Sequence, residues 1–316
     1  MNVGTGGRVA GVLLGSALAV LGAAPAIAAA STATEGPATI SAGRLILEPT
    51  ARGYQGSVPV TVTNRSGAAE YYSVRITEPV AGSFQGLRPT DACAFAGRVD
   101  DRRIVECGLP GPDLAPGERR SFAVTFEVLT APRPYAMTAA DGRVEVVPGH
   151  TGQVADGEDF PTLFRSTDGS LRHPRPYVRD TEARAAIGAG VGPVELTRQA
   201  DGTYAGRLPV TVRYAGDAPH DYLAVLATLP GGLEVTGTEP QDAPSFGGWF
   251  EVPGGQLTAG EERAFDVLFR APAGTVAGDL GTVELTLSTL SGADEVRDAD
   301  PTDNVLRVTL DAVDNG

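Results

Sequence analysis

One strand that occurs twice constrains what this chain can fold into. The segment YQGSVPVTV at Tyr54–Val62 returns as YAGRLPVTV at Tyr204–Val212, 150 positions later in a chain of 316 residues. Each copy alternates β-branched residues with others behind a turn that contains glycine, which is the period-two pattern of a half-buried strand. Because one domain usually takes about 100–200 residues, the sequence predicts two related β domains.

A proline inside each copy limits how the strand can pair. Pro59 has no N–H to donate to a neighbouring strand. For this reason proline in sheets is found on edge strands or at the start of a strand. The first copy is therefore predicted to be an edge strand, or to begin with Pro59 facing outward.

Further segments recur in the same order behind the duplicated strand. The turn Leu114–Glu118 returns 143 positions later as Leu257–Glu261. Apolar residues on one face of the strand after each turn are predicted to form the two cores: Phe122, Val124, Phe126, Phe265, Val267 and Phe269. The offset of 150 also aligns one more alternating strand in the two copies: Tyr72, Val74 and Ile76 with Tyr222, Ala224 and Leu226.

Many short strands with turn residues between them, and no amphipathic helix, predict an all-β fold. About seven strands per repeat fit two sheets packed face to face, so we expect two tandem immunoglobulin-like β-sandwich domains at residues 38–170 and 185–312. The stretch 171–184, with Pro174 and Pro176, is predicted to be a linker. Proline-rich linkers are semi-rigid, so the domains should keep a preferred spacing.

The beginning of the chain has the order of a cleavable secretion signal. Arg8 is the only charge in the first 30 residues, Val9–Ala24 is apolar, and Pro25 precedes the small-residue site Ala26-Ile27-Ala28. The sequence predicts a signal peptide at residues 1–30 and a secreted or wall-associated mature protein without membrane contact. The alternative is an uncleaved anchor helix, because the apolar run approaches the roughly 20 residues that span a bilayer.

The charge of the chain limits its partners. It carries 39 acidic and 25 basic residues, a net charge of −14, and all its basic residues are Arg. The absence of Lys excludes chemistry that needs an amine side chain, such as a Schiff base. An acidic protein repels a phosphate backbone, so nucleic acid is not an expected partner.

Cys93 and Cys107 are the two cysteines of the chain. An even number of cysteines in an exported protein, here with a turn between them, predicts a disulfide that joins neighbouring strands. The alternative is a pair of free, buried thiols. The spacing is not that of a redox-active C-x-x-C motif.

Acidic residues crowd the loop before the last strand. Asp298, Asp300 and Asp303 lie within six positions and Asn304 follows them. Ca²⁺ takes about six to eight oxygen ligands, so these three carboxylates are a candidate Ca²⁺ site and the one cofactor that the sequence suggests. The glycine and terminal Glu of an EF-hand are missing, and the alternative is a loop held by Asx turns.

Catalytic patterns are missing from the sequence. The histidines His150, His173 and His220 fall in separate loops without partners at zinc-ligand spacing, so all three are expected to be exposed. Nucleophile-elbow, phosphate-loop and dinucleotide-binding motifs are also absent. We therefore do not expect an enzyme.

Aromatic residues offer one further hypothesis. Trp249 and Phe250 follow two glycines, and Tyr54 recurs as Tyr204. Exposed rings beside hydrogen-bonding groups would form a platform for a sugar. The alternative is that these rings pack in the two cores, as aromatic side chains commonly do.

The region from Cys93 to Glu118 resembles a known class of domain. The run Cys107-Gly-Leu-Pro, the turn Leu114-Ala-Pro-Gly-Glu118 and the alternating Phe/Val strand behind it are similar to the immunoglobulin-like repeats of bacterial surface and secreted proteins. These include the cell-adhesion-related domain found in bacteria and similar surface repeats of unknown function. The likeness covers residues 38–312, and it implies a β-sandwich that serves as adhesin, stalk or spacer.

These observations lead to two expected functions. The first is an exported, non-enzymatic structural or interaction protein of the adhesion type, in contact with a protein or a cell-wall glycan. The alternative is a module that binds cell-wall polysaccharide or another glycan through a loop end or a sheet face.

Overall fold

The computed structural model describes residues 36–149 and 152–314, and all regular secondary structure within them is β-strand. The all-β prediction is confirmed, and the arrangement of the sheets is sandwich-like. Among these residues no helix is long and apolar enough to cross a bilayer. The predicted signal peptide and His150 lie outside the described residues.

We refer to residues 36–170 as the first half and residues 183–314 as the second half. The strands of the first half, with the short strand that follows it, are β1 (Ala38–Ala42), β2 (Leu45–Thr50), β3 (Gly53–Asn64), β4 (Tyr72–Thr77), β5 (Phe84–Arg88), β6 (Cys93–Val99), β7 (Arg102–Gly108), β8 (Arg119–Val128), β9 (Met137–Thr138), β10 (Gly142–Pro148), β11 (Asp156–Phe160), β12 (Thr162–Phe164) and β13 (Arg175–Pro176). Those of the second half are β14 (Ala185–Ala189), β15 (Val194–Arg198), β16 (Tyr204–Tyr214), β17 (Tyr222–Thr228), β18 (Glu234–Glu239), β19 (Ser245–Phe246), β20 (Trp249–Glu251), β21 (Glu261–Ala271), β22 (Gly278–Ser291), β23 (Asp294–Val296) and β24 (Val305–Val313).

The sheets of the two halves differ because one proline interrupts a strand. In the first half β11 belongs to a five-stranded sheet with the order β11-β10-β4-β7-β6. The next strand, β12, belongs to a separate eight-stranded sheet with the order β13-β9-β12-β2-β3-β8-β5, in which β1 also pairs with β3. Pro161 separates β11 from β12 and has no N–H to continue the ladder. In the second half the single strand β24 pairs with both β22 and β15. That unbroken strand joins all eleven strands into one sheet, β18-β21-β16-β15-β24-β22-β17-β20-β19, with β14 on β16 and β23 on β22.

Alternating residues of the long strands form a separate core in each half. The six residues predicted from the repeated Phe/Val strand are all at most 5% exposed: Phe122, Val124, Phe126, Phe265, Val267 and Phe269. Tyr54 and Tyr204 also lie in the two cores. Burying each such ring removes a large apolar surface from water, and this stabilises the folded chain.

Pro59 lies in the interior of its sheet, so the prediction of an edge strand is wrong. β3 pairs with β8 on one side and with β1 and β2 on the other. The Pro59 carbonyl accepts a hydrogen bond from Gly43 N–H at 2.9 Å, which places the missing N–H of Pro59 on the same side. There β1 has ended and β2 has not begun, so no ladder bond is lost. Pro209 occupies the corresponding place in β16, between the residues that pair with β14 and with β15.

The stretch 171–184, predicted to be a linker, packs against both halves. The described residues, 36–149 and 152–314, belong to one compact unit. Tyr177 packs its ring on Phe164 with centroids 4.8 Å apart, and its hydroxyl donates to Asp217 Oδ2 at 2.9 Å. Arg179 donates to the carbonyl of Asp217 at 2.5 Å and to that of Ala81 in the first half. These contacts, rather than the stiffness of proline, define the spacing of the two halves.

Candidate functional site

The two cysteines form a disulfide between neighbouring strands. Cys93 on the edge strand β6 lies directly opposite Cys107 on β7, and their Cα atoms are 4.0 Å apart. Cys107 is 1% exposed, whereas Cys93 is exposed. The bond therefore attaches an edge strand to the core of the first half.

The acidic loop is organised by hydrogen bonds to the main chain. Asp298 accepts the N–H of Ala185 at 2.9 Å and that of Asp300 at 2.9 Å. Asp300 accepts from the N–H and hydroxyl of Thr302, and these bonds lower the pKa of its carboxyl. Partial desolvation, followed by the nearby charges of Asp300 and Asp298, raises the pKa of Asp303. Within the described residues no group of three or more acidic, His or Cys side chains is arranged to hold a metal ion.

His220 is buried, so the expectation that it is exposed is wrong. It is 5% exposed, and its ring packs on Tyr214 with centroids 4.5 Å apart. Nδ1–H donates to the carbonyl of Ala218 at 3.1 Å, and Nε2 accepts the N–H of Leu257 at 3.3 Å. Burial lowers the pKa of the imidazole, and protonation of Nε2 would also break the bond from Leu257. Sequence spacing missed this role because the ring's partners are main-chain atoms.

The register of β17 differs by one residue from the alignment of the two repeats. In the first half Leu109 N–H donates to the carbonyl of Tyr72 at 3.0 Å, and in the second half Val252 N–H donates to that of Leu223 at 2.8 Å. Leu223, and not Tyr222, therefore takes the position of Tyr72. A shift of one residue exchanges the two faces of a strand.

The residues of β17 that the repeat alignment matched with the core residues of β4 therefore do not lie on the inner face of their strand. The inner face of β17 carries Leu223 and Val225, which are at most 1% exposed. Leu226 is 54% exposed on the other face, which also carries Tyr222 and Ala224. The pattern of seven consecutive residues, YLAVLAT, is apolar on both sides and does not distinguish the two registers.

The outer face of the second half carries a row of five side chains, one from each of five neighbouring strands. We call these the outer row: Phe246, Trp249, Leu226, Thr286 and Val305. The register places Phe246 opposite Trp249, Trp249 opposite Leu226, Leu226 opposite Thr286, and Thr286 opposite Val305. Neighbouring strands lie about 4.8 Å apart, so the row is about 19 Å long.

Three aromatic rings cluster at one end of the outer row. Phe246 is 73% exposed, and its ring centroid lies 5.1 Å from that of Trp249, with the planes tilted by 39°. Tyr222 meets Trp249 edge-on at 6.3 Å. Ala224 lies on the same face and is only 2% exposed. Trp249 was a candidate from sequence, but Leu226 and Phe246 were not, because their exposure depends on the register.

The other end of the outer row opens into a hollow of about 610 Å³. Thr286 and Val305 belong to both the row and the hollow. Asn304 also lines the hollow and is 8% exposed. Its Oδ1 has no hydrogen-bond partner among the residues that the structure describes. A buried acceptor without a donor is costly, but this oxygen is enclosed by the protein and is not open to the hollow.

A second concave region, a cleft of about 440 Å³, lies between the halves. Arg98 on β6 pairs with Asp294 on β23 at 2.9 Å across it. Arg103 donates to the fully buried Glu78 at 3.3 Å and approaches Asp221 of the second half to 4.0 Å. These charged groups are satisfied by one another, so the cleft serves as a junction between the halves.

No family model matches this chain, and no curated protein matches it either. Among solved structures, it is similar to a protein of unknown function from Porphyromonas gingivalis, with 13% identity, a TM-score of 0.22, and coverage of 88% of this chain and 99% of that one. The adhesive subunit CfaE of the CFA/I fimbria of enterotoxigenic Escherichia coli gives 10% identity, a TM-score of 0.28, and coverage of 81% and 79%. The YadV chaperone gives 9% identity, a TM-score of 0.22, and coverage of 86% and 100%. These likenesses are distant and concern the all-β fold alone.

Proposed function

We propose that this chain is an exported interaction protein that works by contact through the outer row, and not by catalysis. The observation that carries the proposal is the exchange of a charged pair for an apolar one at equivalent positions. In the first half Arg75 on β4 faces Glu106 on β7, and the two form an ion pair at 2.9 Å. The corresponding residues of the second half are Leu226 and Trp249.

An apolar pair on a solvent-facing sheet needs a reason, since the ion pair shows that the same framework accepts charge there. Leu226 and Phe246 remain 54% and 73% exposed, so they add little to the core of the second half. Contiguous exposed apolar residues on a soluble protein commonly mark an interaction surface. Aromatic residues are also enriched where binding energy is concentrated.

The buried ionisable groups support a role without catalysis. The carboxylate of Glu78 accepts the N–H groups of Gly82 at 2.6 Å and Phe84 at 3.1 Å, in addition to its bonds from Arg103. Both ring nitrogens of His220 are engaged by main-chain groups. These groups hold loops in place.

The proposed location is outside the cell or on the cell wall, and the partner is a protein or glycan found there. This follows from the signal-like sequence at residues 1–30 and from the disulfide, a bond that persists in oxidising compartments. The net charge of −14 argues against nucleic acid as the partner.

The proposal can be tested by sedimentation of the purified, labelled chain with intact cells of the bacterium that produces it. We expect the wild-type chain to sediment with the cells. The double variant Leu226→Ser/Phe246→Ser should reduce the bound fraction at least tenfold, because it removes the exposed apolar surface and leaves the core intact.

A matched control is Phe95→Ser. Phe95 is an exposed aromatic residue of the first half, 64% exposed on the edge strand β6. This variant should bind cells as the wild type does. Equal binding by the double variant and the wild type, or no binding by the wild type, would overturn the proposed function.

A further inference from the structure

We infer that the ligand of the outer row is an uncharged polysaccharide, which stacks on the aromatic end of the row and donates hydroxyl hydrogen bonds in the hollow. This inference rests on the proposed function, because it names the chemical class of the partner that the outer row binds.

The aromatic end of the row matches the apolar face of a sugar ring. Trp249 and Phe246 lie side by side on the open sheet face with centroids 5.1 Å apart. Tyr222 meets Trp249 edge-on, with centroids 6.3 Å apart. Phe246 is 73% exposed and Trp249 is half-buried, and rings that already contact one another lose little conformational freedom on binding.

The hollow supplies the polar half of the site. Glu295 lines the hollow, and its carboxylate can accept a hydrogen bond from a sugar hydroxyl. Thr286, shared by the row and the hollow, can both donate and accept. Because Leu226 lies opposite Thr286, the stacking surface and the hydrogen-bonding surface are continuous across adjacent strands. A run of this length suits an extended oligosaccharide better than a single sugar.

The charges around the row argue against an anionic ligand. Arg307 is paired with Glu284 at 2.6 Å, and Arg297 with Glu182 at 3.4 Å. Glu295 and Asp298 also line the hollow. The acidic side chains of this region outnumber the arginines, so a polyanion would be repelled.

The edge strand at the aromatic end of the row, β19, is poorly suited to pairing with an extended peptide. β19 has only two residues, Ser245–Phe246. Pro240 and Pro244 precede it and have no N–H to donate. Strand addition needs a longer run of free main-chain groups. A ligand that uses side chains on the sheet face therefore fits better than a peptide that extends the sheet.

The chemical class can be tested on the cells used for the proposed function. Periodate cleaves sugars that carry vicinal hydroxyls, whereas protease removes surface proteins. We expect periodate treatment to abolish the binding that depends on Leu226 and Phe246, and protease treatment to leave it unchanged. If protease abolishes this binding, or if the binding survives periodate, the glycan is not the ligand, while the proposed function still stands. Absence of row-dependent binding to untreated cells would instead defeat the proposed function itself.

A second measurement uses Trp249 as the reporter, since it is the only Trp of the chain. Glycan released from the walls of the same cells and freed of protein should shift its fluorescence in a saturable way. Phe246→Ala and Thr286→Val should each weaken binding at least tenfold, and Phe95→Ala should change it less than twofold.

The two variants must fold for the fluorescence test to report on binding. Thr286 is half-buried, so the folding of Thr286→Val is checked by its melting curve. Phe246 is 73% exposed and its variant should fold in any case. An unchanged spectrum at saturating wall glycan, or a shift that Phe246→Ala leaves intact, would overturn the inference. So would a response to polygalacturonate, a polyanion, that exceeds the response to the uncharged glycan.

Discussion

Phe250 lies at the position in the second half that Cys107 takes in the first. Cys107 faces Val74 and Phe250 faces Val225 across the equivalent strand pairs, and the two residues are 1% and 0% exposed. Opposite Cys107 on the edge strand is its disulfide partner, whereas opposite Phe250 is Ser245. The first half thus attaches its edge strand covalently, and the second half fills the same site with an aromatic ring.

The disulfide should stabilise the first half. Closing a loop between residues 14 positions apart is worth about 3 kcal/mol by chain entropy, with wide variation among proteins. We expect Cys93→Ala/Cys107→Ala to lower the free energy of unfolding of the first half and to abolish its response to reductant. The measurement is denaturant unfolding with and without reductant. Thiol titration of the unfolded, unreduced wild type should find no free thiol, and two thiols would contradict the bond.

Leu223 and Leu226 should respond oppositely to truncation. Leu223→Ala should cost about 2–5 kcal/mol, because it leaves a cavity in the core of the second half. Leu226→Ala should change the free energy of unfolding by no more than about 0.5 kcal/mol, since the side chain is half-exposed. Thermal and denaturant unfolding of the two variants decide the register. Stronger destabilisation by Leu226→Ala would restore the alignment made from sequence.

His220 should make the second half less stable in acid. Burial lowers its pKa in the folded state, so below the ordinary value of about 6.5 the unfolded chain binds the proton more readily. The stability that the neutral His220 ring contributes to the fold is therefore present above that pH and is lost as the pH falls. We expect His220→Gln to flatten the decline in stability between about pH 7 and 5. The exposed His173→Gln is the control, and equal slopes in wild type and His220→Gln would contradict this role.

Asp217 should couple the two halves. Its carboxylate accepts hydrogen bonds from Thr130 Oγ1 at 2.8 Å, Tyr177 hydroxyl at 2.9 Å and Asp180 N–H at 3.0 Å. A hydrogen bond to a charged group contributes about 1.5–3 kcal/mol, so Asp217→Ala should lower stability and separate the unfolding of the halves. Calorimetry would show this as a wider gap between transitions. Tyr177→Phe, which removes one donor, should have a smaller effect, and an unaltered profile in both variants would argue against the coupling.

Asp298 should act through its main-chain bonds. Asp298→Ala leaves the N–H of the buried Ala185 without its acceptor and should cost about 1–3 kcal/mol. We expect the melting temperature of the second half to be the same in Ca²⁺ and in chelator, because Asp298 and Asp300 are already occupied by the loop. If Ca²⁺ raises this melting temperature and Asp300→Ala abolishes the increase, the result would support the Ca²⁺ site suggested by the sequence.

Period-two patterns were sufficient to predict the all-β fold and the two cores. Residues such as Phe126 and Phe269 alternate with polar ones, and only one face of such a strand can be buried. The disulfide was also predictable, because the chain has two cysteines and a turn between them. These are local properties, and they survive any arrangement of the sheets around them.

The outer row was decided by the tertiary structure. The strand YLAVLAT can bury either set of alternate residues, and only its pairing with β20 and β22 determines that Leu226 faces outward. The burial of His220 and the interior position of Pro59 likewise depend on main-chain atoms brought from distant parts of the chain. Sequence determined which segments are strands and which residues repeat, because those depend on neighbours along the chain. The fold decided which faces meet solvent, because a shift of one residue in register, with little local cost, exchanges them.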